Sequence, residues 1–193
     1  MPKTLRHILT AHPNSRSREL ESFLDQLDDQ TRRLTEDTRG LTRAELEWQL
    51  APGMNTIGML LAHMAIVEVF WMQVGPLGLA SYDSTGALGI TMDDDGMPLA
   101  AHSRPPKGLA GRTLRFYDDL LARARNYVRE VAATLTDADL DREVTRTRRD
   151  GQIEVVNLRW VFYHVLEHFA GHYGQILLLQ HHLRARRQKP RRR

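Results

Sequence analysis

Apolar residues recur at intervals of three, four and seven positions in four long stretches of this chain, and this spacing places them on one face of an α-helix. The stretches cover residues 16–38, 56–74, 112–135 and 157–186. No stretch alternates apolar and polar residues for long enough to indicate an extended sheet. The pattern therefore predicts an all-α protein, a four-helix bundle in which each long helix turns its apolar face toward a shared core.

The second and third predicted helices are joined by a long connection, residues 75–110, which is rich in Gly, Pro and Asp. We expect a crossover here, since a connection of this length usually carries function or mobility. Its most polar part, DDDG at 93–96, lacks the distal glutamate of a twelve-residue calcium loop, so we interpret it as a solvated turn.

Two shorter features have local signatures of their own. Thr42 followed three residues later by Glu45 predicts a short helix that begins with a capping box. The pair Asp150-Gly151, within a charged stretch from residue 144 to residue 155, predicts a turn of the kind found in a small hairpin.

The length of 193 residues fits one domain, which we place at residues 1–183. Residues 184–193, RARRQKPRRR, hold seven of the 27 basic residues and no acidic one, which leaves 20 basic against 24 acidic residues elsewhere. We interpret this segment as a disordered, solvated tail. Nucleic-acid binding is not favoured, because the basic residues lack interleaved aromatic ones and the rest of the chain is mildly acidic.

Cysteine is absent from the sequence, which excludes disulfides, thiolate metal clusters and a cysteine nucleophile. Any metal ion must therefore be held by imidazole and carboxylate groups. The first residues contain no apolar signal-peptide core, and we find no stretch with the roughly 18 uncharged apolar residues that a membrane span requires. We expect a soluble, cytoplasmic protein with no membrane partner.

Histidine is concentrated in the fourth predicted helix, which contains five of the nine histidines. His164, His168 and His172 are four residues apart, so they lie along one side of the helix with a drift of about 40° per step. His172 turns most deeply toward the core and His164 lies toward the rim, which leaves His168 and His172 as the best buried pair. The core direction is set by the apolar residues of this helix: Leu158, Val165, Phe169, Ile176 and Leu179.

Two imidazoles make a weak metal site, and a third ligand is needed. His63 is the candidate, because it lies on the apolar flank of the second helix, where an unpaired charge would be costly, and because bundles build metal sites from facing helices. The alternative is that these are hydrogen-bonded histidines of the core. Glu68 and Glu167 point away from the site, whereas Gln175 is placed to orient a ligand.

Two segments of the sequence resemble a known family. NTIGMLLAHMAIVEVFW is similar to the second-helix signature of the DinB-like, or YfiT-type, metal-binding superfamily, in which a histidine closes a Ser/Thr-Ile-Gly-x-Leu-Leu-x-His pattern. WVFYHVLEHFAGHYGQILLLQHHLR resembles the fourth-helix signature, in which a histidine or glutamate precedes by four residues a histidine that leads into x-Gly-Gln. The resemblance implies that His63, His168 and His172 hold one divalent metal ion, zinc or nickel, and that His164 is no ligand.

The resemblance also implies an up-down-down-up bundle and a homodimer. Some branches of the family transfer or isomerise small-molecule thiol adducts with mycothiol or bacillithiol. We therefore expect a metal-dependent thiol S-transferase that uses such a thiol as cofactor and acts on a small-molecule substrate; no side chain is predicted to be catalytic. Two alternatives stay open: a metal-dependent hydrolase, in which the ion activates water, and a non-enzymatic, stress-related module that binds metal or a small ligand.

Overall fold

The structure is a computed structural model that describes residues 16–95, 97, 101, 103–148 and 151–188. It is mostly helical, as the sequence predicts, with one small two-stranded sheet. Four of the helices in the described part of the chain are long: α1 (Arg18–Thr38), α3 (Ile57–Val74), α5 (Leu114–Ala132) and α6 (Leu158–Gln188). The remaining elements are α2 (Arg43–Leu46), α4 (Ser84–Leu88), the strands β1 (Glu143–Thr147) and β2 (Ile153–Asn157), and short 3-10 turns at Met92–Asp94, Lys107–Leu109 and Asp137–Asp141.

The starts of three helices are set by side chains directly before them. The Ser17 hydroxyl accepts the backbone N–H of Leu20 at 3.0 Å, and the Thr56 hydroxyl accepts the N–H of Met59 at 3.1 Å. The predicted capping box at Thr42 and Glu45 is present at the start of α2. Each cap satisfies a backbone donor that has no partner inside its helix, so local sequence fixes where α1, α2 and α3 begin.

The central helix of the protein is α3, which packs against α5 and α6 and also contacts α2 and α4, while α1 packs against α6 and α5. By length and composition, Ile57–Val74 is able to cross a membrane, which we did not expect from the sequence. However, 78% of this stretch is buried inside the protein. Its apolar character is that of a core helix surrounded by other helices.

A buried ion cluster joins three of the long helices. The Arg125 guanidinium on α5 donates from Nε and Nη2 to the two carboxylate oxygens of Glu68 on α3, at 3.1 and 2.9 Å. Its Nη1 donates to Asp28 on α1 at 3.0 Å. The side chains of Arg125 and Glu68 are only 7% and 2% exposed, so each charge depends on the other for compensation. Glu68 thus lies away from the histidines, as expected, and ties α3 to its neighbours.

The connection between α3 and α5, residues 75–113, is a long crossover that contains α4 and two 3-10 turns. The predicted hairpin is also present: β1 and β2 pair antiparallel, with Val144 opposite Val156 and Arg146 opposite Glu154. Asp150, from which the turn was predicted, lies outside the described residues. The hairpin leads directly into α6, so it lies beside the helix that carries most of the histidines.

The C-terminal helix extends beyond the boundary that we predicted for the basic tail. The helix α6 continues through residue 184 to Gln188. Residues 189–193 lie outside the described residues, so the disordered tail and the domain limit at residue 183 stay predictions.

A glycine near the start of α3 allows this helix to approach α5 closely. A Cβ atom added at Gly58 would lie 2.5 Å from the hydroxyl of Tyr117 and 2.9 Å from its Cζ. Tyr117 is 1% exposed and its hydroxyl donates to the carbonyl of Leu109 at 3.3 Å, so the ring has little room to move. The absence of a side chain at residue 58 is therefore part of how α3 and α5 pack.

We predict that Gly58→Ala destabilises the protein by about 1–3 kcal/mol, because the added methyl group overpacks a filled core. Gly171→Ala is the matched control, since a Cβ atom at this α6 position meets nothing within 4 Å. The control is expected to be neutral or to gain up to about 1 kcal/mol from helix propensity. Urea unfolding of both variants measures the difference. Equal stability of the two variants would contradict the close approach of α3 and α5.

Candidate metal centre

Three partly buried histidines from two helices lie together in the bundle. His63 comes from α3, and His168 and His172 come from successive turns of α6. The Nε2 atoms of His63 and His172 lie 2.9 and 3.0 Å from Nε2 of His168. One nitrogen from each ring lies within 4.8 Å of the other two. The structure thus brings together the three histidines that the sequence singled out.

The outer nitrogens of two of these rings are held by oxygen atoms. Nδ1 of His63 donates to Oδ1 of Asp95 at 2.6 Å, and Nδ1 of His172 donates to Oε1 of Gln175 at 3.0 Å. A carboxylate or an amide oxygen can only accept, so the hydrogen of each neutral ring is on Nδ1. The lone pair of each ring is then on Nε2 and is directed toward His168.

This arrangement leaves more acceptors than donors at the centre of the cluster. A hydrogen on Nε2 of His168 can be donated to His63 or to His172, but not to both. A divalent cation resolves the conflict, because it accepts all three lone pairs. Zinc–nitrogen bonds of about 2.0–2.1 Å in tetrahedral geometry place ligand nitrogens about 3.3 Å apart, close to the 2.9 and 3.0 Å that separate Nε2 of His168 from the other two Nε2 atoms. The donor set therefore fits a metal ion.

Burial keeps the rings of His168 and His172 uncharged. Burial lowers the pKa of His168 to about 2, and the nearby His172, His63 and His164 lower it in the same direction. Burial also lowers the pKa of His172, although the hydrogen bond to Gln175 opposes the change. Both rings are neutral at neutral pH, and the neutral ring is the form that binds a metal ion.

His164 lies beside the three histidines and not among them. Its ring stacks on Trp160 with centroids 4.6 Å apart and an interplanar angle of 5°, and it meets the edge of Trp71 at 5.2 Å. Its Nδ1 lies 3.6 Å from a carboxylate oxygen of Glu167, whose side chain is half exposed. The rim position expected from the helical spacing agrees with this placement.

Asp95 is the site residue that the sequence did not indicate. We interpreted the DDDG segment as a solvated turn, and for Asp95 this interpretation is wrong: its side chain is 17% exposed and accepts a hydrogen bond from His63. The contact joins residues 32 positions apart and depends on the path of the crossover. The sequence around Asp95 therefore does not predict its contact with His63. Gln175, in contrast, was expected to orient a ligand and does contact His172.

The chain is similar to known proteins at two levels. A sequence model of the mycothiol S-transferase family matches residues 20–185. Among solved structures, a conserved protein from Enterococcus faecalis is similar in fold, with a TM-score of 0.60 over 81% of this chain and 92% of that chain. The two sequences are 15% identical, so this likeness concerns the fold alone. No protein with a curated description matches the chain.

We predict that Asp95→Ala weakens zinc binding about 10–100-fold, because the His63 ring loses the partner that fixes its orientation. Asp93→Ala is the control, since Asp93 is an exposed residue of the same segment. Competition with a chromophoric chelator gives the zinc dissociation constants of the two variants and of the wild type. An unchanged constant for Asp95→Ala, or an equal loss for Asp93→Ala, would show that the contact with His63 does not matter.

We also predict that the metal-free protein loses stability as the pH falls below about 6.5. In this range unfolded histidines take up protons that the buried His168 does not, so the unfolded state binds more protons and stability declines with decreasing pH. His168→Gln should show a shallower decline in melting temperature between pH 7.5 and pH 5 than the wild type, and His181→Gln, at an exposed position, should follow the wild type. Equal slopes for all three proteins would refute this effect.

Proposed function

This chain belongs to the mycothiol S-transferase family, and we propose that it is a metal-dependent enzyme that joins the sulfur of mycothiol to an electrophilic small molecule. The observation that carries the proposal is the convergence of three imidazole nitrogens from α3 and α6 on one point. All three histidines lie within residues 20–185, the part of the chain that the family model matches.

In this proposal His63, His168 and His172 hold one divalent ion. Three neutral imidazoles suit zinc, and they suit nickel as well. When bound, such an ion would bind the sulfur of a thiol and lower its pKa, so that the thiolate exists at neutral pH.

The residues of the chain supply the conditions for this chemistry. Partial burial of His168 lowers its pKa and keeps the ring uncharged. Asp95 and Gln175 fix two of the rings with Nε2 turned inward. The sequence contains no cysteine, so a sulfur nucleophile has to arrive with a separate thiol. A small thiol cofactor such as mycothiol meets that requirement, and the family to which the chain belongs supports mycothiol over bacillithiol.

We propose the up-down-down-up order for the four long helices. The packing of α3 against both α5 and α6, and of α1 against both α6 and α5, supports this order, as does the long crossover between α3 and α5. We also propose that the protein is a homodimer in the cytoplasm. Large apolar side chains exposed on α6, namely Tyr163, Leu177 and Leu178, are consistent with contact to a second copy.

The proposed reaction predicts that the zinc-loaded protein accelerates the conjugation of mycothiol to monobromobimane, in which the thiol sulfur displaces bromide. His172→Ala should lose at least about tenfold of this acceleration, because one imidazole ligand is removed, whereas His181→Ala should retain it. Fluorescence of the bimane product measures the rate, with bacillithiol as the comparison thiol. If the protein adds nothing to the rate of the uncatalysed reaction with mycothiol, the proposed function is wrong.

A further inference from the structure

A cavity of about 430 Å³ adjoins the candidate metal centre. One wall is formed by Ile66, Val67 and Phe70, which follow His63 on α3 at spacings of three, four and seven and so lie on the same side of that helix. Asp95 lines the cavity and also accepts the hydrogen bond from His63. Asp95 therefore joins the cavity to the histidine cluster.

The walls of the cavity are mainly apolar and aromatic. Tyr82 and Met92 also line the cavity, and the rings of Phe70 and Tyr82 meet edge to face with centroids 4.7 Å apart. The volume lies within the range of about 300–1,000 Å³ that is usual for small-molecule sites. A flat apolar group would bury its surface against these side chains and gain the edge contacts that aromatic rings favour.

The charged groups at the cavity already have partners. Arg146 pairs with Glu154 across the hairpin, and its guanidinium lies over the rings of Trp71 and Phe70, 4.6 and 5.4 Å from their centroids. Arg148 lies 3.2 Å from the same Glu154 carboxylate. The two cations thus share one anion, and Asp95 is engaged by His63. A charged ligand would have to compete with these contacts, whereas an uncharged apolar group would leave them intact.

From this we infer that the cavity binds the uncharged apolar or aromatic group of the electrophilic substrate; this inference rests on the proposed function. The electrophile then lies with its reactive carbon toward the histidines and its apolar group against Val67, Phe70 and Tyr82. With an acrylamide as electrophile, the thiol adds across the carbon–carbon double bond: a sulfur–carbon bond forms at the terminal carbon, the π bond breaks, and the thiol proton ends on the neighbouring carbon. No group leaves and no oxidant is needed.

The inference is tested by comparing ligands that differ only in the apolar group. N-benzylpropanamide and N-methylpropanamide are unreactive analogues of the matching acrylamides, so their binding to the full-length, zinc-loaded protein is measured by calorimetry without any thiol. We expect the benzyl compound to bind at least about tenfold more tightly than the methyl compound, as is typical when an apolar group fills a fitted pocket. Equal affinities would overturn the inference.

Variants locate the binding in this cavity. Val67→Phe fills the space and Tyr82→Ala removes part of the wall, so each should reduce benzyl binding at least about tenfold and reduce methyl binding much less. Val155→Phe is the control, because Val155 is 54% exposed on the hairpin and does not line the cavity. Unchanged benzyl binding in both cavity variants, with folding verified by circular dichroism, would place the ligand elsewhere.

The same ligands separate this inference from the proposed function. With mycothiol added, N-benzylacrylamide should give a lower KM than N-methylacrylamide in the wild type, and Val67→Phe should raise the KM of the benzyl compound more than that of the methyl compound. Selective benzyl binding without catalysed conjugation would contradict the proposed function and leave the cavity assignment standing. Conjugation of both acrylamides with equal KM would support the proposed function and contradict the cavity assignment.

Discussion

The candidate site depends on how α3 is held in the bundle, because α3 carries one of the three histidines and α6 carries the other two. The buried fork from Arg125 to Glu68 fixes the rotation of α3, since both carboxylate oxygens are engaged and Asp28 holds the third guanidinium nitrogen. Glu68 faces α5 and α1, which turns His63 toward α6. Removing one partner of such a pair strands a buried charge and costs about 3–5 kcal/mol. The interaction that joins three helices also orients the site.

Features that depend on the geometry of a single helix could be predicted from the sequence. The capping box at Thr42 and Glu45 and the shared face of His168 and His172 follow from the geometry of a single helix, and the structure has both. His63 was found by a weaker argument, the cost of a polar ring on an apolar flank. Its contact with His168 requires two helices to pack in one register, which spacing along the chain does not determine. Asp95 was missed because the route of the crossover decides its position.

Asp95 connects the two parts of the candidate active site. It holds the ring of His63 and lines the apolar cavity beside it, so the crossover between α3 and α5 is part of the site and not only a link between helices. The helical core carries the histidines, and a connecting segment contributes Asp95 beside them. Functional residues often lie on loops that a helical or sheet scaffold positions. A change at Asp95 would therefore affect both the orientation of the His63 ring and the wall of the cavity.

The central claim is that three imidazoles hold one divalent ion. Metal analysis of the purified protein tests it most directly, with His63→Ala, His172→Ala and the exposed His181→Ala prepared in the same way. We expect about one equivalent of zinc or nickel in the wild type and in His181→Ala, and strong depletion in the other two variants. Stoichiometric metal in both His63→Ala and His172→Ala would contradict it.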